Sequence, residues 1–148
     1  MERDKAPSTN TRKERGHIRY KNSEGYSDPV AGEAIRKADK VWRPLVYICS
    51  PYSGDTARNT ERARRYSRFA VDQGAIPLAP HLLLPQFMSE KTERELAMFM
   101  DMVFLGLCEQ VWVFGNRRTR GMKAEIAKAR HKQIPVRFFS EDLEEVVE

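Results

Sequence analysis

The sequence predicts an α/β domain over residues 45–148, built on a parallel sheet. Three observations predict it. Short apolar runs rich in β-branched and aromatic residues recur along the chain. Between them lie longer segments whose apolar residues fall at helical spacing. Gly, Pro, Asn and Asp punctuate the junctions.

The first 44 residues stand apart. They hold 11 Lys/Arg against 7 Asp/Glu, while residues 45–148 hold 15 against 14, so most of the net charge of +5 lies in a polar basic tail. Residues 1–29, rich in Ser, Thr, Asn and charge, are expected to be largely disordered. A short helix is expected over 30–40, where Val30, Ala34, Ile35 and Ala38 share a face after the helix start Asp28–Pro29. Pro44 then punctuates the chain.

LVYICS (45–50) is a short apolar run, expected as the first strand. Gly54 and Asp55 mark a turn. A helix follows from about Ala57 to Gln73, with Ala63, Tyr66, Ala70 and its neighbour Val71 at helical spacing and Gly74 as its stop. AIPLAP (75–80) is the second strand, and a loop containing Pro80 and Pro85 leads to Thr92. Thr92 and Glu95 have capping-box spacing for a second helix reaching about Leu107. QVWVFG (110–115) is the third strand and GNRRTRG (115–121) a polar loop. A third helix runs to about Lys132, IPVRFF (134–139) is the fourth strand, and SEDLEEVVE is expected to close the chain as a short helix.

Strands that alternate with helices pair in parallel through right-handed crossovers. The expected architecture is therefore a flavodoxin- or Rossmann-like three-layer sandwich, preceded by a flexible N-terminal tail. In such sheets ligands sit beyond the carboxyl ends of the strands. Those ends carry Ser50-Pro51-Tyr52-Ser53, Ala79-Pro80-His81 and Gly115-Asn116-Arg117.

Composition bounds the function. No apolar run reaches the roughly 18 residues of a membrane span. The N-terminus lacks the apolar stretch of a secretory signal. Cys49 and Cys108 both sit in apolar segments, as expected for buried reduced thiols in a cytoplasmic protein. No Cys/His spacing points to a metal, and no cofactor is expected. The tail offers a route to nucleic acid, but a solvated arm accounts for it more simply.

Asp101 is the most informative residue. From Leu96 to Cys108 it is the only charged side chain, and apolar residues cover every face of that helix. A carboxyl held away from water must find partners or rise in pKa, which suits general-acid work near neutrality. The alternative is a structural Asp bonded to a loop. Glu125 stands early in the third helix, at the border of the stripe Met122, Ile126 and Ala129. The helix N-terminus is expected to keep it ionised, as a nucleophile requires. An ordinary first-turn Glu would look the same. The loop before it, with Thr119 and three arginines, suits a phosphate or carboxylate, or is simply a solvated turn. Tyr47, Ser50, Tyr52 and Ser53 read as ligand-orienting, Tyr47 equally as a core aromatic. His81 reads as a catalyst or a loop hydrogen-bonder. Of the arginine-rich first helix, only Arg58 and Asn59 are near the expected site.

Taken together, VYICSPYSG, GAIPLAPH, the Asp of the apolar helix, CEQVWVFG and GMKAEIAKA resemble the nucleoside 2-deoxyribosyltransferase superfamily, over about Val46 to Phe139. The resemblance implies a catalytic set of Glu125, Asp101 and Tyr47. Glu125, in a Gly-x-x-x-Glu context, would attack the anomeric carbon of a 2-deoxyribosyl group. Asp101 would protonate the departing base or hold the sugar. Tyr47 and Ser50 would orient Glu125 and the sugar. Tyr52, Ser53, His81, Gly115, Asn116, Thr119, Gly121 and Met122 would complete the substrate site, with Asn116 and Thr119 at the 5′ end. The loop before Glu125 lacks the acid that transferases of the family often carry there. Its arginines make it similar to the 2′-deoxynucleoside 5′-monophosphate N-hydrolases, whose strand-one arginine is missing here. Transfer and hydrolysis both stay open, as does a nucleotide-binding module without turnover. The apolar surface of Leu96–Leu107 further implies a homo-oligomer.

Overall fold

The computed structural model describes residues 28–148 together with Lys21 and Gly25. The disorder expected of the tail concerns residues that lie almost wholly outside these. Helix α1 (Pro29–Lys40) belongs to the N-terminal part of the chain, and the α/β domain begins at Arg43. Asp28 caps α1, its carboxylate accepting from the Ala31 N–H at 3.0 Å, and Pro29 supplies the preset φ of a first helical residue.

The domain runs β1 (Leu45–Cys49), α2 (Thr56–Asp72), β2 (Ile76–Leu78), α3 (Pro80–Leu83), a 3₁₀ turn (Leu84–Gln86), α4 (Arg94–Leu107), β3 (Gln110–Phe114), α5 (Arg120–His131), β4 (Val136–Phe139) and β5 (Glu145–Val146). The sheet order is β2-β1-β3-β4-β5, parallel except for β5. It is the doubly wound arrangement expected of the sequence. Because β1 leads outward to β2 and β3 returns to its other side, the chain reverses direction between β1 and β3. That reversal opens a crevice above their carboxyl ends.

Alternation along the strands divides the core in two. Val46 and Ile48 of β1, with Trp112 and Phe114 of β3, pack toward Tyr66 and Ala70 of α2. Tyr66 stacks on Phe114 at 4.3 Å between ring centroids. Tyr47 and Cys49, with Val111 and Val113, face the opposite side, with Leu105 of α4 and Met122, Ile126 and Ala129 of α5. β1 and β3 are buried on both faces, which is why both read as nearly continuous apolar runs.

Three local expectations are corrected. The segment after β2 is not a plain loop: Pro80 opens α3 at its first helical position, so His81 lies in a helical turn and not on a strand. The capping box from Thr92 to Glu95 does not form. α4 starts at Arg94 after Glu93, whose carboxylate accepts instead from the Ser89 N–H at 3.0 Å, closing a turn before the helix. The C-terminal segment is not a helix. Leu143 adopts φ 68°, Ser140 and Glu144 close a turn, and β5 pairs antiparallel with β4. A two-pronged Arg137–Glu145 bond across the pair (2.9 and 2.7 Å) favours the strand.

α4 also carries an exposed stripe. Leu96, Phe99, Val103 and Leu107, spaced by three or four residues, are between 46% and 66% exposed. Among the described residues no helix is long and apolar enough to cross a membrane.

Candidate active site

The crevice holds a pocket of about 240 Å³. Each wall comes from a different element. The loop after β1 brings Tyr52 and Ser53, α3 brings Pro80 and His81, and the turn beyond it brings Leu84, Pro85, Met88, Ser89 and Glu90. α4 contributes Arg94, Ala97, Met98 and Asp101, and the start of α5 contributes Thr119, Arg120, Gly121 and Glu125.

Local bonds fix these walls. Asn59 of α2 is 5% exposed, and its amide donates to the carbonyls of Tyr52 (3.0 Å) and Ser53 (3.2 Å), tying the β1 loop to the helix. The Tyr52 ring lies 5.0 Å from that of His81. Thr119 is the N-cap of α5, its hydroxyl accepting from the Met122 N–H at 3.2 Å. Gly115 turns the chain out of β3 at φ 82°, a backbone that side-chain-bearing residues rarely adopt.

Asp101 and Glu125 are 7% and 2% exposed, and a polar atom of each has no hydrogen-bond partner (Asp101 Oδ1, Glu125 Oε2). Burial, with a smaller push from the Glu90 carboxylate, raises Asp101 to about 7. Burial also raises Glu125 to about 7. The Cys49 thiol and the Tyr47 hydroxyl act against that rise, and the Asp101 charge adds to it. The expectation that the helix N-terminus keeps Glu125 ionised is therefore corrected. Glu125 is the sixth residue of α5, past the first turn where the dipole acts, so desolvation outweighs it. Tyr47, 1% exposed, has its own hydroxyl pushed well up by burial and by the Glu125 carboxylate. Cys49, fully buried, is raised by the same two causes. Burial lowers His81 to about 4, so its ring is neutral at pH 7. One donor atom of His81, of Asp101 and of Glu125 all lie within 4.8 Å of one another.

Of the residues expected from sequence, Tyr52, Ser53, His81, Asp101, Thr119, Gly121 and Glu125 line the pocket. Tyr47 is buried beside Glu125 without lining it. Ser50 is 1% exposed, its hydroxyl unpartnered at the end of β1. Gly115, Asn116 and Met122 are not on the wall: Asn116 is exposed, and the Met122 side chain belongs to the core. Of the three loop arginines only Arg120 lines the pocket, since Arg118 lies over the Phe138 ring and pairs with Glu148. Sequence reasoning missed Glu90 and Arg94, which carry no local signal. It also missed the apolar group Leu84, Met88 and Met98, each indistinguishable in sequence from core.

Comparison with known proteins agrees with the fold. A 2-deoxyribosyltransferase from the psychrotolerant bacterium Bacillus psychrosaccharolyticus superposes with a TM-score of 0.54. It shares 16% identity, and the match covers 70% of this chain and 77% of that one. At that identity the likeness concerns the fold. No curated protein matches the sequence. Residues 44–139 match a family described as a domain of unknown function, DUF7768, and to that family the chain belongs.

Proposed function

We propose that this protein cleaves or transfers at the N-glycosidic bond of a 2′-deoxynucleoside or its 5′-monophosphate, with Glu125 as nucleophile and Asp101 as acid. The observation that carries this reading is the pair of buried carboxyls facing one pocket from two helices, with oxygen atoms within 4.8 Å and both acidities near 7. Two such groups do not both ionise readily, so near neutrality the pair holds about one proton. Tyr47 and Cys49 favour the anion on Glu125, which leaves the proton on Asp101. One carboxylate then attacks the anomeric carbon while the other acid protonates the departing base. Carboxyls this close suit a retaining double displacement, which uses a separation of roughly 5 Å.

The remaining walls fit the remaining parts of such a substrate. Leu84, Pro85, Met88 and Met98, with the Tyr52–His81 pair, offer apolar and aromatic surface for a base. Arg120 and the capped start of α5 offer positive charge for a 5′ group. The volume lies just under the roughly 300 Å³ where ordinary ligand pockets begin, enough for one small molecule. The neighbour of this fold is itself a 2-deoxyribosyltransferase. Two buried free thiols suit a reducing, cytoplasmic setting. The exposed stripe of α4 suits self-association.

The test is nucleobase release from a panel of deoxynucleosides and their monophosphates, with and without an acceptor base. Wild type is expected to turn over at least one of them, and Glu125→Ala to fall to background. If both give only background the enzymatic reading fails, and tight binding without turnover would leave a nucleotide-binding module in its place.

A further inference from the structure

We propose that His81, Asp101 and Glu125 form a binding site for one divalent transition-metal ion, zinc in the first instance. The three side chains come from α3, α4 and α5, so local sequence does not bring them together. A donor atom of each lies within 4.8 Å of one from both others. Each also has a buried polar atom with no hydrogen-bond partner: His81 Nδ1, Asp101 Oδ1 and Glu125 Oε2. Asp101 and Glu125 are more than nine-tenths buried, yet both line the pocket with His81, so an ion has a way in.

The chemistry of the donors selects the ion. Two carboxylates balance a 2+ charge, and a neutral imidazole prefers zinc, iron or nickel over the hard magnesium and calcium ions. Three protein ligands with pocket water in the remaining position is the usual arrangement of an open zinc site. Tetrahedral ligands about 2.1 Å from one ion lie about 3.4 Å apart, so the outermost donors need to close by up to about 1.4 Å. Rotation about the side-chain torsions of His81, Asp101 and Glu125 would have to supply that. The Tyr52 ring beside His81 limits how the imidazole can turn.

An ion held here would occupy both carboxylates. Under the deoxyribosyl reading, zinc would therefore inhibit reversibly, and that consequence rests on that reading. The binding itself does not.

The experiment titrates the full chain, stripped with chelator, with zinc chloride by calorimetry, with metal counted by elemental analysis. One equivalent is expected, and cobalt(II) in place of zinc should give visible absorption from the bound ion. His81→Ala and the isosteric Glu125→Gln should each weaken zinc at least about tenfold and remove the cobalt absorption, with circular dichroism unchanged. His131→Ala should change neither. Binding of well under one equivalent, or binding that survives both His81→Ala and Glu125→Gln, overturns the site. A chain that binds zinc as described but turns over no deoxynucleoside keeps the metal site and loses the deoxyribosyl reading.

Discussion

At the scale of residues, the site rests on the cost of burying two carboxyls side by side. The substitution Asp101→Asn keeps size and polarity but cannot deliver a proton. Turnover in the base-release assay is expected to fall by about 10²–10⁴-fold, the usual contribution of a positioned acid. The same burial has a stability consequence. Both groups titrate near 7 in the folded chain and near 4 when unfolded, so between those values the folded state binds more protons. Stability is highest below about pH 4 as far as this pair is concerned, and is lost as pH rises toward 7. A tenfold change in acidity corresponds to about 1.4 kcal/mol, which puts the pair's effect on the order of a few kcal/mol. Denaturant unfolding from pH 4.5 to 7.5, with chelator present, should show this decline in wild type. It should be absent from the Asp101→Asn/Glu125→Gln double variant, and an equal decline in both would contradict it.

At the scale of elements, α5 positions Glu125, and Thr119 both starts that helix and lines the pocket. Thr119→Ala should cost about 1 kcal/mol in denaturant unfolding, and Thr119→Ser should recover most of it. How legible an element was in sequence depended on what forms it. β1 and β3 were plain because central strands buried on both faces must be apolar throughout. α2 and α5 were plain because each buries one stripe. β5 was illegible: it is two residues at a sheet edge, made by pairing with β4 and by the Arg137–Glu145 bond, and its acidic sequence resembles a helix end. Thr92 and Glu95 had the right spacing for a cap, but the backbone chose Glu93, because a turn from Ser89 sets where α4 begins.

At the scale of the whole molecule, the stripe Leu96, Phe99, Val103 and Leu107 stands about half-exposed or more along α4, a surface that a second copy of this chain would cover. Light scattering at micromolar concentration is expected to give a mass above the monomer's 17.2 kDa. Phe99→Glu, at a position 65% exposed, should shift the mass to that of one chain without unfolding it. A monomeric wild type would remove the inference.

The sequence by itself determined the alternation of strand and helix, and through it the parallel sheet and the end of the sheet where the pocket lies. Those follow from periodicity, because burial on one face or two leaves its period in the chain. It also marked Asp101, since a lone charge in an apolar helix is costly wherever the helix packs. Only the tertiary structure decided that Tyr47, His81, Asp101 and Glu125 meet. Their meeting depends on the strand order β2-β1-β3, on which face of β1 Tyr47 takes, and on the register of α4 against α5. It likewise decided that burial raises the pKa of Glu125 to about 7, because the depth of a side chain is set by what packs over it and not by its place in the helix.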